Sequence, residues 1–141
     1  MTKSVLFVCN MNSVRSPMAA AILASQAQGA LRVDSAGVYE GGLDPFVESV
    51  LGEIGMSLGD YEPKAVSDTT LDGFDLVIAL TPEAAAEIRR FLPRERIEYW
   101  PIENPSDVRG DRNALMDAYR SVRDELRGRI RVRFPAFSKA P

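Results

Sequence analysis

The sequence predicts an α/β protein with a parallel sheet, because short β-rich runs alternate with helical patterns along its 141 residues. The runs lie at residues 5–8, 31–34, 74–80 and 97–100, and each is rich in apolar or branched side chains. Between them, apolar residues recur at helical spacing. Strands that alternate with helices in this way favour a parallel sheet with right-handed crossovers.

The first two strands enclose a helical segment. The run at residues 5–8 is unbroken and apolar, which is typical of a strand covered on both faces. A polar loop follows it, and the alanine-rich stretch at residues 18–24 then predicts a helix that ends near Gly29. The second strand, at residues 31–34, continues into a Ser-Ala-Gly segment that ends at Gly37.

Two later helices have clear start signals. Asp44 followed by Pro45 predicts a capped helix that extends to Gly55. Thr81, with proline next in the chain, predicts the start of another helix that follows the third strand and ends at Pro93. Helical spacing in this second segment predicts that Ile88 and Phe91 point inward.

The last predicted elements are the strand at residues 97–100 and a long helix over residues 111–133. One face of this helix is apolar and includes Leu115, Tyr119, Val122 and Leu126. Residues 1–141 therefore read as a single domain, with its ligand-binding loops beyond the carboxyl ends of the strands.

Residue counts exclude several mechanisms. The chain has one cysteine, Cys9, and no histidine, so it contains no internal disulfide, Cys-rich zinc site, Ser-His-Asp triad or Cys-His pair. The net charge of -3 argues against a dedicated nucleic-acid binder. The apolar run at the N-terminus is too short for a signal sequence or a membrane span. We expect a cytoplasmic protein with a reduced thiol and no membrane or nucleic-acid partner.

The loop after the first strand concentrates the reactive groups. It reads Cys-Asn-Met-Asn-Ser-Val-Arg-Ser-Pro from Cys9 onward. Its backbone N–H groups and the following helix N-terminus suit a tetrahedral oxyanion, and Arg15 can hold two of the oxygens. Cys9 at the floor would be stabilised as a thiolate, with Ser16 as a further donor. The alternative is a buried, inert cysteine. The predicted oxyanion-binding residues are Asn10, Met11, Asn12, Ser13, Val14, Arg15 and Ser16.

The loop sequence resembles that of the low-molecular-weight protein tyrosine phosphatases and of the arsenate reductases that share their fold. The pattern is Val-Cys-x-x-Asn-x-x-Arg-Ser-Pro, close to the N-terminus. Further matches are Asp-Ser-Ala-Gly at residues 34–37, Asp-Leu-Val-Ile at residues 75–78 and Trp-x-x-x-x-Pro at residues 100–105. The resemblance covers nearly the whole chain.

This resemblance implies a flavodoxin-like three-layer sandwich, with a four-stranded parallel sheet and helices on both faces. It also implies that Cys9 attacks phosphorus and forms a phosphocysteine, while Arg15 and the loop amides hold the oxygens. Asn12 would support the loop and Ser16 the thiolate, with no metal or cofactor required. The implied substrate is a phosphorylated protein or a small aryl phosphate, and inorganic phosphate or sulfate would occupy the same loop.

The sequence departs from the family pattern at the general acid. The family has aspartate before proline after the fourth strand, whereas this chain has Asn104. An amide cannot protonate the leaving group, a step that is typically worth about 10²- to 10⁴-fold. Two nearby carboxylates could supply the proton instead, and we prefer Asp107 to Glu103. The alternative role for Asp107, equally consistent with the sequence, is to cap a helix or turn. The family also flanks its pocket with aromatic residues, for which Tyr39 is the candidate here.

Two other functions stay open. One is arsenate reduction with an external thiol, because residues 81–93 contain no cysteine for a thioredoxin-coupled cycle. The other is a non-catalytic phosphate-binding module, which the asparagine at the acid position favours and the intact Cys9, Arg15 and Ser16 oppose. Ser35, Tyr39 and Asn104 are the predicted supporting or wall residues of the site.

Overall fold

The four predicted strands form one parallel sheet in a computed structural model that describes residues 2–67 and 71–137. The strands are β1 (Ser4–Cys9), β2 (Arg32–Gly37), β3 (Leu76–Ala79) and β4 (Ile97–Tyr99), and their spatial order is β2-β1-β3-β4. Helices pack on the sheet, which confirms the predicted α/β class.

The α-helices follow the predicted order, and polar side chains cap three of them. They are α1 (Arg15–Ala27), α2 (Pro45–Gly52), α3 (Pro82–Arg89) and α4 (Arg112–Arg133). Asp44 and Thr81 accept from backbone N–H groups of α2 and α3, as the sequence predicts, and Asp111 does the same for α4. No helix within the described ranges combines the length and the hydrophobicity needed to cross a membrane.

Alternation along β1 decides which side of the sheet Cys9 faces. Val5, Phe7 and Cys9 belong to one buried cluster, which includes residues of α1 and α4. Leu6 and Val8 belong to the cluster on the other face, under α3. Successive strand side chains point to opposite faces, so Cys9, the last residue of β1, faces the layer that contains the start of α1.

Both ends of α2 are fastened to α4. At the N-terminal end, the Tyr119 hydroxyl donates to Asp44 Oδ2 at 2.6 Å. Just beyond the C-terminal end, Glu53 accepts from Arg120 and from Arg123 Nη1, the latter at 2.8 Å. These two guanidinium groups lower the pKa of Glu53 to about 2. Helix α2 is therefore joined to α4 at both of its ends.

The prediction that Phe91 points inward is wrong. Helix α3 ends at Arg89, four residues before the predicted end at Pro93. The chain then turns, because the N–H groups of Phe91 and Leu92 both donate to the Ile88 carbonyl. Leu92 is buried at 8% exposure, whereas Phe91 is 45% exposed.

Gly37 provides a test of how closely the chain packs beside the Cys9 loop. A Cβ at this position would lie 2.6 Å from Tyr39 O, 2.7 Å from Asn12 N and 2.8 Å from Asn10 O, all backbone atoms. We expect Gly37→Ala to lower the free energy of unfolding by about 1–3 kcal/mol in urea titrations. As a control, Gly52→Ala in α2 meets nothing within 4 Å and should raise it by about 0.5–1 kcal/mol. Equal stability of the two variants would contradict the close packing.

Candidate functional site

A cleft opens at the carboxyl edge of the sheet, with Cys9 among its lining residues. Its volume is about 540 Å³. One part of the lining comes from the loop after β1, and another comes from residues 42–46, which lead into α2. Residues 104 and 106 and two side chains of α4 complete it. Cys9 itself is only 2% exposed, so its sulfur forms part of the floor rather than the rim.

The side chain of Asn12 holds the loop in shape from behind. It is fully buried, and its backbone is left-handed with φ of 54°. Its Oδ1 accepts from the Lys64 N–H at 2.9 Å and from the Tyr61 hydroxyl, while its Nδ2 donates to Ser16 Oγ at 2.8 Å. Burial raises the pKa of Tyr61, which keeps this hydroxyl protonated at neutral pH. Two donors on Oδ1 fix the amide so that Nδ2 faces Ser16.

Ser16 connects this support to the sulfur. Its Oγ lies 3.0 Å from Cys9 Sγ and 3.2 Å from Ala36 O, and it is fully buried. Because Asn12 already donates to Ser16 Oγ, the Ser16 proton has two acceptors, the Ala36 carbonyl and a Cys9 thiolate. A protonated thiol donates to Ser16, whereas a thiolate accepts from it. The hydroxyl can thus follow the charge on the sulfur without moving its oxygen.

Positive charge at the site comes from Arg15 and the start of α1. Arg15 Nη1 donates to Ile102 O at 3.0 Å, which fixes the direction of the guanidinium. Burial lowers the pKa of Arg15, and the charges of Cys9 and Asp107 oppose that effect, so the group stays charged. Val14, at the N-cap of α1, makes no side-chain capping bond. Free helix amides beside a fixed cation suit a tetrahedral oxyanion.

The remaining loop residues divide between the cleft and its surroundings. Met11, Ser13 and Val14 line the cleft, and Met11 is 46% exposed at its rim. The side chain of Asn10 instead accepts from Thr81 Oγ1 at 2.6 Å, at the start of α3. The Asn10 amide thereby anchors the loop to the start of α3, on the opposite face of the sheet.

Tyr39 does not form the cleft wall that the sequence predicts. The Tyr39 N–H donates to the Asn10 carbonyl at 2.8 Å, which turns the chain toward α3. Its hydroxyl donates to Glu83 at 2.8 Å, its side chain is 52% exposed, and it is not among the cleft residues. Glu83 also raises the pKa of Tyr39.

Sequence reasoning missed the aromatic side of the cleft, which Phe46 and Tyr119 supply. Their ring centroids are 5.2 Å apart, and both side chains line the cleft. Helical spacing assigns both residues to the core, so periodicity hides a second role. The available signal was the position of Phe46, which directly follows the Asp44–Pro45 capping pair where α2 begins, near the carboxyl edge of the sheet.

The candidates for the general acid occupy different places. Asn104 lines the cleft, and its Oδ1 accepts from the N–H of Ser106 at 3.1 Å and from its hydroxyl at 2.8 Å. Asp107 ends the short 3-10 helix Pro105–Asp107 and is exposed, but its charge acts on Arg15. Glu103 is also exposed. Neither carboxylate is among the residues that line the cleft.

Two further polar residues differ in what their side chains contact. Ser35, which the sequence predicts to support the site, is fully buried, and its hydroxyl has no hydrogen-bond partner within residues 2–67 and 71–137. Among the described residues that line the cleft, Asp44 is the one with a carboxylate. Its oxygens accept from the Phe46 N–H at 2.9 Å and from the Tyr119 hydroxyl. Both oxygens of Asp44 are therefore engaged in holding the wall.

The fold and the site together define an α/β protein with a buried thiol at the end of its first strand and an arginine six residues later at the start of a helix. Residues 4–134 match the family described as low molecular weight phosphotyrosine protein phosphatase. The chain belongs to this family.

Individual relatives differ in the activity that their names give. The chain is 27% identical over 129 residues to an arsenate reductase of Bacillus subtilis (strain 168), covering 92% of this chain and 93% of the relative. It is 37% identical over 105 residues to a low molecular weight protein-tyrosine-phosphatase of Streptomyces coelicolor, covering 68% and 63%. The crystal structure of the Erwinia amylovora tyrosine phosphatase amsI superposes with a TM-score of 0.82 at 22% identity, covering 99% and 95%.

The hydrogen bond between Ser16 and the sulfur predicts a change in thiol reactivity. We expect Ser16→Ala to slow alkylation of Cys9 by iodoacetamide about tenfold near pH 6, because a bond to a charged group is lost. Ser49→Ala, at an exposed position on α2, is the control. Equal rates for Ser16→Ala and the parent protein would contradict this role.

Proposed function

We propose that this protein hydrolyses phosphomonoesters through a phosphocysteine at Cys9 and prefers aryl phosphates such as phosphotyrosine. The observation that carries the proposal is the cleft, which joins the thiol and Arg15 to an aromatic wall of Phe46 and Tyr119. Its volume of about 540 Å³ is within the usual range for organic ligands, roughly 300–1,000 Å³. An inorganic oxyanion alone needs only the loop.

The proposed reaction has two steps. In the first, the Cys9 thiolate attacks phosphorus, the S–P bond forms, and the P–O ester bond breaks as the leaving group takes up a proton. Arg15 and the amides at the start of α1 hold the other oxygens, and Ser16 returns its hydrogen bond to Ala36 as the sulfur loses its charge. In the second, water attacks phosphorus and gives a proton to the carboxylate that donated one in the first step, the S–P bond breaks, and phosphate and the thiolate are released.

We propose Asp107 as the donor of the proton to the leaving group. Its support is its charge interaction with Arg15 and its place in the short helix that Asn104 caps. Asn104, which lines the cleft, has no proton to give. Aryl leaving groups need less help than alkyl ones because phenolates are weaker bases, so the missing carboxyl at 104 also favours aryl substrates.

The proposed chemistry also indicates the cellular compartment and the binding partners of the protein. The reaction uses a free thiolate and neither a metal nor a cofactor. A thiolate nucleophile must stay reduced, so we place the protein in a reducing compartment, the cytoplasm. Its partners would be phosphorylated proteins or small aryl phosphates, with inorganic phosphate or sulfate binding the same loop.

Arsenate reduction with an external thiol is the second candidate, because relatives such as that of B. subtilis carry the name arsenate reductase. In this scheme, the Cys9 sulfur displaces an oxygen from arsenate. A small thiol then attacks the sulfur, so that arsenite leaves as arsenic is reduced and a mixed disulfide forms. A second small thiol releases Cys9. The chain has no second cysteine to take the place of the external thiol.

A steady-state assay with p-nitrophenyl phosphate tests the phosphatase proposal. We expect turnover by the native protein, loss of turnover to background in Cys9→Ser, and a phosphate adduct on Cys9 in mass spectra of acid-quenched samples. Cys9→Ser removes the nucleophile at nearly constant volume, so circular dichroism should show an unchanged fold. Undiminished turnover in Cys9→Ser, or none in the native protein, would overturn the proposal.

The same samples separate the two candidates. Arsenite production is measured with glutathione as the only reductant, with Cys9→Ser as the control. Cys9-dependent arsenite production without release of phosphate from aryl phosphates would replace the first candidate with the second.

The acid is tested by the dependence of rate on the leaving group. We expect Asp107→Asn to lower kcat for phenyl phosphate by about tenfold or more and to affect p-nitrophenyl phosphate less. Asn104→Asp should raise kcat for phenyl phosphate, by up to about 10²-fold, because it places a carboxyl on the cleft. An unchanged leaving-group dependence in Asp107→Asn would remove Asp107 from the mechanism.

A further inference from the structure

Arg112 has an unusual environment at the outer edge of the cleft. It is exposed, and it is the first residue of α4, directly after the Asp111 cap. A cation in the first turn of a helix is disfavoured by the helix dipole. Arg120, Arg123, Arg129 and Arg133 of the same helix are in ion pairs, whereas none of the ion pairs within residues 2–67 and 71–137 includes Arg112, Arg127 or Arg131.

Arg112 instead lies over the ring of Phe46. The Arg112 Cζ is 5.6 Å from the centroid of that ring. Phe46 is half-buried, packs against Tyr119 and lines the cleft that contains Cys9. A free guanidinium is thereby held at the cleft edge, next to an aromatic side chain that is itself within the cleft.

Phe46 is also the exposed part of the aromatic wall. Tyr119 is 1% exposed and donates its hydroxyl to Asp44, so it acts as backing. The cleft residues from the loop after β4 are Asn104 and Ser106, which are small and polar. An aryl ring bound above Cys9 therefore finds its aromatic contact at Phe46.

We propose that Phe46 and Arg112 together select the substrate: Phe46 packs against the aryl ring of the phosphoester, and Arg112 binds a carboxylate beside it. The preferred substrate is then a phosphotyrosine within an acidic stretch of a protein. This inference rests on the proposed phosphatase function, because it concerns the same cleft. The guanidinium carries a positive charge at all physiological pH values, and its planar fork suits a carboxylate.

The experiment compares matched phosphotyrosine peptides in which the flanking residues are glutamate or alanine. We expect the native protein to show a kcat/KM ratio of about fivefold or more in favour of the acidic peptide. Arg112→Gln should bring this ratio to about one, and Arg112→Glu should reverse it. The native preference should also weaken as salt is added, because the attraction acts at an exposed site. Arg89→Glu makes the same charge change as Arg112→Glu, but at an exposed position of α3 on the other face of the sheet. This control should leave the ratio unchanged.

A second set of variants tests the ring contact. Phe46→Ala should raise KM for aryl phosphates by about tenfold while changing kcat less. Phe46→Tyr, which keeps an aromatic ring, should have a KM close to that of the native protein. KM for an alkyl phosphate should be nearly independent of residue 46. Phe46→Leu keeps an apolar side chain but removes the ring. Its thermal unfolding temperature reports any loss of packing, and its KM for aryl phosphates reports the loss of the ring.

The outcomes distinguish this inference from the function on which it rests. Cys9-dependent turnover with no native preference for acidic peptides, or with an unchanged ratio in Arg112→Gln, overturns the inference alone. Absence of Cys9-dependent turnover on every aryl phosphate overturns the proposed function and the inference together.

Discussion

The buried side chain of Asn12 is the contact on which the geometry of the site depends. It joins three parts of the chain that are distant in sequence: the loop after β1, the segment that contains Tyr61 and Lys64, and, through Ser16, the sulfur of Cys9. Asn12, Ser16 and Cys9 are buried, so losing one bond would leave a buried polar atom unpaired, at a cost of about 1–3 kcal/mol. The left-handed backbone of Asn12 is therefore kept by its side-chain bonds.

A second constraint fixes the opposite side of the cleft. Asp44 accepts from the Phe46 N–H, which starts α2, and from the Tyr119 hydroxyl, which joins α2 to α4. Glu53 fastens the other end of the same helix to α4. The aromatic wall is thus built from residues that also hold two helices together. A substrate ring would meet a surface that is already in place, which lowers the entropy cost of binding.

Local signals account for what the sequence predicts well. Cys9, Arg15 and Ser16 lie within one strand–loop–helix unit, so their proximity follows from spacing, and the caps Asp44 and Thr81 act on their own helices. Contacts over long sequence separations were not predictable in the same way. Tyr61 is 49 residues from Asn12, and no periodic pattern relates the two. The position of Tyr39 was predicted wrongly because its N–H bonds to the Asn10 carbonyl and its hydroxyl to Glu83 of α3, and composition does not reveal these contacts.

Two features of the cleft that arise from different parts of the chain have the same chemical consequence. On one side, Asn104 presents an amide to the cleft, and the carboxylate of Asp44, which also lines it, has both oxygens engaged. Departure of the leaving group then depends more on its own stability as an anion. On the other side, Phe46 provides a ring contact that only a flat, apolar leaving group can use. Under the proposed function, a phenolate would meet both conditions, since it is a weaker base than an alkoxide and can stack on the ring. An alkoxide would meet neither, so we expect the proposed phosphatase to prefer aryl esters to alkyl ones.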